Sequence, residues 1–252
     1  MAKASKTAGP PRAWRVAIAF VTGLLRRLFG WHVEASQPED RPAPNTSLVV
    51  VCNHTSNIDL FLVADTVWRE LGHWVRPLGK VEAFRVPVVG QVGRAAGAIP
   101  VVRSSGEGRE QAYEAAIDVL RDGGTIIVAP EGTITHDGTL LPLRHGAARM
   151  ALQAETKVLV VTHVGAQRAF SPVAKLPHRG VLVTMAMDLL TVWPDEDEDA
   201  LTGRIAATML DRSAQLQAAH PQADPAAKWW PPYKNPSVPT ATALDSIERY
   251  RS

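Results

Sequence analysis

The chain reads as an α/β protein: a single layered domain with a mixed, mostly parallel sheet flanked by helices, preceded by an N-terminal interfacial helix. Three observations predict this. Short apolar runs rich in β-branched residues alternate with stretches of helical periodicity between Leu48 and Ala219. At 252 residues, with 46% hydrophobic and 21% charged, the chain can bury one sizeable core and is not the composition of a disordered protein. A proline-rich polar stretch from Gln37 to Asn45 separates a basic, aromatic N-terminus from the alternating body.

The elements follow in order. Residues 1–36 are expected to form an amphipathic membrane-surface helix. The apolar run Val16 to Leu25 is flanked by Arg15, Arg26 and Arg27 and interleaved with Trp14, Phe20, Phe29 and Trp31. It is shorter than the roughly 20 apolar residues a spanning helix needs, and no small-residue cleavage site of a secretory signal follows it. Rings beside cations suit the headgroup level of a membrane; the same amphipathicity also suits docking on the protein's own core. Residues 37–47 form a linker, and residues 48–220 the α/β domain. Its strands are predicted at Leu48–Cys52, Ala98–Val102, Thr125–Ala129, Val158–Val164 and Val181–Met187. Its helices are predicted near Leu60–Leu71, Glu107–Arg121, Gly146–Glu155 and Leu201–Ala219, with Asp122-Gly123-Gly124 stopping the second of these. The acidic block Asp195 to Asp199 reads as a solvated start for the last helix. Residues 221–252 form a C-terminal arm whose Trp229-Trp230-Pro231-Pro232-Tyr233 is too proline-rich for a helix or central strand.

Several function classes recede on composition. A net charge of +2 gives no argument for nucleic acid. The one cysteine, Cys52, excludes an internal disulfide and reads as a small buried hydrophobe within its strand. No glycine-rich phosphate loop and no metal-ligand spacing among the 8 histidines is present. His163 at a strand end reads as a core or rim histidine, while His136 and His145 flank the later motif closely enough to reach a site there.

Chemistry concentrates in two places. Asn53-His54-Thr55-Ser56-Asn57-Ile58-Asp59 follows the first buried strand and leads into a helix, with Ser56 or Asn57 available to cap it. That sets an imidazole at a strand's carboxyl end, where α/β sheets bind ligands, with a carboxylate one helical turn away. A histidine held by a carboxylate is a recurrent general base for activating a hydroxyl. Pro130-Glu131-Gly132-Thr133 follows the strand Thr125–Val128 at the same edge, and Gly132 lets backbone approach a ligand, its amide free to face an anion or acyl carbonyl. Lys80, Arg103 and Arg144 are cations placed for a phosphate if the chain converges there, and solvated surface charges otherwise.

Taken together, Asn-His-x-x-x-x-Asp after an apolar strand, Gly79-Lys80, Pro87-x-x-Gly90, Gly97-x-Ile-Pro-Val-x-Arg103 and Pro130-Glu-Gly-Thr133, in this order, resemble the glycerolipid acyltransferase family. The likeness runs from about Leu48 to Gly165. It implies a fatty acyl transfer from acyl-CoA or acyl carrier protein to the free hydroxyl of a lysophospholipid acceptor. The acceptor it favours is 1-acylglycerol-3-phosphate, giving phosphatidate, with no bound cofactor and no metal. His54 would be the general base and Asp59 its orienting partner. Lys80 and Arg103 would meet the glycerol phosphate, Glu131, Gly132 and Thr133 the acceptor, and Pro87 and Gly90 would form a structural turn. The expected location is a cell membrane, peripheral or monotopic on its cytoplasmic face. Two departures stand out: Ile134 occupies the place where the family commonly has arginine, leaving Arg144 as a possible substitute, and Val158 to His163 lacks the family's prolines. A different lipid or glycolipid alcohol is therefore the alternative acceptor, and a non-catalytic lipid-binding protein the remote one.

Overall fold

The computed structural model describes residues 12–44, 46–85, 87–102, 106–135, 139–170 and 177–224. Among them the strands are β1 (His32–Ser36), β2 (Leu48–Cys52), β3 (Val75–Lys80), β4 (Ile99–Val101), β5 (Thr125–Val128), β6 (Lys157–Val164) and β7 (Leu182–Leu190). The helices are α1 (Arg12–Phe29), α2 (Asp59–Leu71), α3 (Pro87–Ala96), α4 (Gly106–Arg121), α5 (Gly146–Gln153), α6 (Ala166–Ala169) and α7 (Glu198–Ala219). The strands form one sheet in the order β1-β7-β6-β2-β5-β3-β4. Every pairing is parallel except β6 with β7, so the fold is the mostly parallel mixed sheet expected from the alternation.

The central strands explain why their apolar runs are unbroken. All five residues of β2 are buried, because helices cover both faces. Val49 and Val51 pack toward α4, α5 and α7 with Ile126, Val158 and Met209. Leu48, Val50 and Cys52 point the other way, onto Val63, Val67 and Leu159. Cys52 is thus a core residue, and burial pushes its thiol well above the usual range. Helix α2 turns Leu62, Val63, Thr66, Val67 and Leu71 inward and ends on Gly72, whose φ of 78° supplies the left-handed turn. Helix α7 begins where the acidic block ends: the Asp197 side chain accepts from the Ala200 amide at 2.8 Å.

Several expectations change in detail. The N-terminal segment is not helical throughout: α1 stops at Phe29, and His32–Ser36 pairs with β7 as an edge strand. Nor do its aromatics act alike. Trp31 is buried, stacks on Phe29 at 4.9 Å and donates its indole N–H to the His178 carbonyl at 2.6 Å. Phe20 is 69% exposed, and Leu24, Leu25 and Leu28 lie open beside it. Pro87 and Gly90 sit in α3 rather than in a turn, with the fixed φ of proline opening the helix. A side chain at Gly90 would collide with the Phe84 carbonyl, 2.1 Å from where its Cβ would stand. Neither Ser56 nor Asn57 caps α2, whose cap is Ile58 with no side-chain bond. The arm from residue 225 onward, and Arg103 and His136, lie outside the described residues.

Candidate active site

Parallel neighbours β5, β2 and β6 end at one edge of the sheet, and each delivers a polar group there. Past β2, the chain turns back so that Asp59, buried in the first turn of α2, faces its own approach. Asp59 Oδ2 accepts from the Thr55 amide at 2.6 Å, the Ser56 amide at 2.8 Å and His54 Nδ1 at 3.1 Å. Since the carboxylate can only accept, Nδ1 carries the proton, and Nε2 is the ring's basic nitrogen. The loop itself is pinned by Ser56 Oγ, which donates to the Phe170 carbonyl at 2.7 Å, and by the Asn57 amide on the same oxygen at 2.9 Å. His54 and Asp59 are therefore brought together as the spacing foretold.

The two motifs also join. Glu131, at the end of β5, is only 3% exposed, and its carboxylate accepts from the His54 amide at 2.6 Å and the Leu141 amide at 2.9 Å. Burial pushes this carboxyl up to about 7, with the nearby Asp59 charge adding to the rise and the two amides opposing it. Glu131 is thus a strut between loops and is not part of the lining of the groove described next. Gly132 has φ of 74°, the left-handed conformation that favours glycine. Its amide does not face an incoming ligand: it donates to the Ala129 carbonyl at 3.1 Å, closing the turn.

In front of His54 runs an apolar groove of about 500 Å³, walled by Phe61, Trp68, Trp74, Leu78 and Phe84 and closed on one side by Ala19 and Thr22 of α1. Lys80, Thr133 and Ile134 line it as well. Helix α1 is fastened over it by Asp65, which accepts from Thr22 at 2.9 Å, Arg26 at 3.3 Å and Arg69 at 2.9 Å. A smaller cleft of about 90 Å³ shares Leu78, Val128 and Ala129 with the groove and is lined by Arg109, Tyr113, Gly132 and Arg144. The Arg144 side chain lies over Gly132, its Nε 2.8 Å from where a Cβ would be. Arg109, on α4, had no motif to mark it in the sequence. His145 is exposed and pairs with Asp199 at 2.9 Å, away from the dyad. Among the described residues no cluster of histidine, cysteine and carboxylate side chains is arranged to hold a metal.

Comparison with known proteins follows the same residues. The family described as Acyltransferase matches residues 32–164, more than half of the chain and the whole of both motifs. The chain belongs to the acyltransferase family. Among curated relatives, a chloroplastic 1-acyl-sn-glycerol-3-phosphate acyltransferase of Brassica napus is 27% identical over 127 residues, 50% of this chain and 36% of that protein. The 1-acyl-sn-glycerol-3-phosphate acyltransferase alpha of Ovis aries is 31% identical over 138 residues, 54% of this chain and 46% of that one. The chain thus spans about a third to a half of these curated relatives. A crystal structure of the 1-acyl-sn-glycerophosphate (LPA) acyltransferase PlsC from Thermotoga maritima superposes with a TM-score of 0.66 at 20% identity, covering 81% of this chain and 80% of that one. This likeness shows that the acyltransferase-family chain shares its fold.

Proposed function

We propose that the protein is an O-acyltransferase that moves a fatty acyl group from acyl-CoA or acyl carrier protein to the free hydroxyl of a lysophospholipid, with 1-acylglycerol-3-phosphate as acceptor and phosphatidate as product. The observation that carries this reading is a histidine whose Nδ1 is held by a buried carboxylate while its ring opens onto an apolar groove. His54 Nε2 takes the proton of the acceptor hydroxyl as its oxygen bonds to the thioester carbonyl carbon. The tetrahedral adduct then collapses, the carbon–sulfur bond breaks, and the leaving thiolate takes the proton back from the imidazolium, which Asp59 has stabilised meanwhile. The acceptor's hydroxyl does the work that a serine does in a hydrolase, so no residue of the chain need be acylated.

The surroundings fit such substrates. Aromatic and aliphatic walls suit an acyl chain. Lys80 at the groove, with Arg109 and Arg144 at the adjoining cleft, supplies cations for an anionic headgroup where Ile134 supplies none. Phe20, Leu24, Leu25 and Leu28 project from α1 with Arg27 among them, which supports attachment to a membrane surface. No helix among the described residues is long and apolar enough to cross a membrane.

Ile134 favours a second reading within the same chemistry. It places an aliphatic side chain on the groove wall beside Thr133, which suits an uncharged lipid alcohol. Both readings are tested by offering purified protein acyl-CoA and acyl carrier protein donors with lysophosphatidate, other lysophospholipids and unphosphorylated lipid alcohols. Phosphatidate as the main product supports the first reading. Preference for the uncharged acceptors supports the second, and transfer to none of them contradicts both.

A further inference from the structure

The reaction above leaves a buried titratable group beside the dyad unused. His163, near the carboxyl end of β6, is 1% exposed and is not part of the groove lining. Its Nε2 stands 3.0 Å from the Asn53 carbonyl oxygen and 3.6 Å from Asp59 Oδ1. Both neighbours are acceptors, so Nε2 is the nitrogen that carries the proton. Nδ1, buried with no partner among the described residues, is the bare one. Burial lowers the basicity of the ring, against the pull of Asp59 and of the Asn53 carbonyl.

The position is constrained from two sides. Asn53 donates from Nδ2 to the His163 carbonyl at 2.9 Å and accepts the His163 amide on Oδ1 at 2.9 Å, so the ends of β2 and β6 are fastened to each other. The peptide joining Asn53 to His54 is consequently gripped at both poles. Its carbonyl meets His163 Nε2, and its N–H meets Glu131. Asp59 Oδ1 has no hydrogen-bond partner within normal length, and His163 Nε2 stands 3.6 Å from it. An apolar residue in its place would take the His163 N–H away from a buried carboxylate oxygen that has no bonded partner.

We propose that His163 is a positioning residue for the acyl transfer: its Nε2–H faces Asp59 Oδ1 and the Asn53 carbonyl together, and so fixes both the carboxylate that holds His54 and the peptide that precedes it. The role rests on the proposed function, because positioning matters only if His54 acts as the base.

The test compares wild type with His163→Gln, whose side-chain amide can return an N–H near the place of Nε2, and His163→Leu, which fills the volume without a donor. His163→Leu is expected to lower kcat about tenfold or more while KM for donor and acceptor stays within about twofold, and His163→Gln to recover most of kcat. In nitrogen-resolved NMR spectra the His54 Nδ1 resonance shifts in the leucine variant and returns in the glutamine variant. Wild-type kcat with an unshifted His54 resonance in His163→Leu overturns the proposal. So does an equal loss in both variants in step with the folded fraction from thermal melts, or a wild-type spectrum showing His163 protonated at Nδ1. The spectra need no turnover. A wild-type protein that transfers no acyl group therefore contradicts the proposed function, while the His163 geometry is decided separately.

Discussion

At the carboxyl ends of β2, β5 and β6, the polar groups are buried and bonded to backbone: Asp59 to two amides and His54, Glu131 to two amides, Asn53 to both poles of residue 163. Around the groove and the adjoining cleft the pattern reverses. Lys80, Arg109 and Arg144 are exposed and have no ion pair among the described residues, although Arg26, Arg69, Arg149, Arg204 and Arg212 elsewhere all do. A base needs one ring orientation, and buried hydrogen bonds enforce it because leaving any of them unmade costs about 1–3 kcal/mol. Headgroup cations need only charge and reach, so they can come from different elements in different chains. Ile134, where the resembled family commonly has arginine, stands half-buried on the groove wall and not among these cations.

The contrast can be attacked at several points. Asp59→Asn should lower kcat about a hundredfold, since the amide cannot stabilise an imidazolium as a carboxylate does, while KM changes little. Steady-state kinetics check this, and a large KM effect would mean Asp59 belongs to the rim instead. Replacing Arg109 and Arg144 together by alanine should raise KM for lysophosphatidate about tenfold and leave KM for an uncharged alcohol unchanged. An equal rise for both acceptors would remove the headgroup assignment. Exchanging Phe20, Leu24 and Leu28 for serine should weaken co-sedimentation with anionic vesicles several-fold without lowering the melting temperature.

The smallest effect concerns pH. Glu131 has its folded value raised to about 7, above the ordinary 4.5, so its contribution to stability is fully present below pH 4.5 and is lost as pH rises through 7. Wild type should lose on the order of 1–3 kcal/mol across that window, and Glu131→Gln should flatten that part of the curve. Denaturant melts at several pH values read the difference directly.

Much of the floor was legible in the sequence. An unbroken β-branched run gave β2 its bounds, and His54 with Asp59 could be placed from one strand and one helix because both lie close in sequence. The missing parts have physical reasons. His32–Ser36 alternates exposed and half-buried as an edge strand, so it offers no apolar run to find. In β3, Arg76 and Pro77 interrupt the pattern, yet the strand pairs with both β5 and β4. Helix α3 carries Gly90 and Gly93, poor helix formers kept because Phe84 packs against both. Pro87 at its first position was the available signal. Glu131 and His163 were seen singly, but their tasks depend on contacts 77 and 110 positions away. Spacing rules reach only neighbours along one element, so such struts emerge only once the sheet order is known.

The step on which the proposed reaction turns is the passage of the acceptor's proton to His54 in front of the apolar groove. It is tested most directly by following free thiol and phosphatidate together, with acyl thioester and lysophosphatidate in vesicles, for wild type and His54→Ala of equal melting temperature. One thiol per phosphatidate is expected in wild type, and a loss of at least about a thousandfold in both for the variant. Product formation by a folded His54→Ala protein at near the wild-type rate would contradict it.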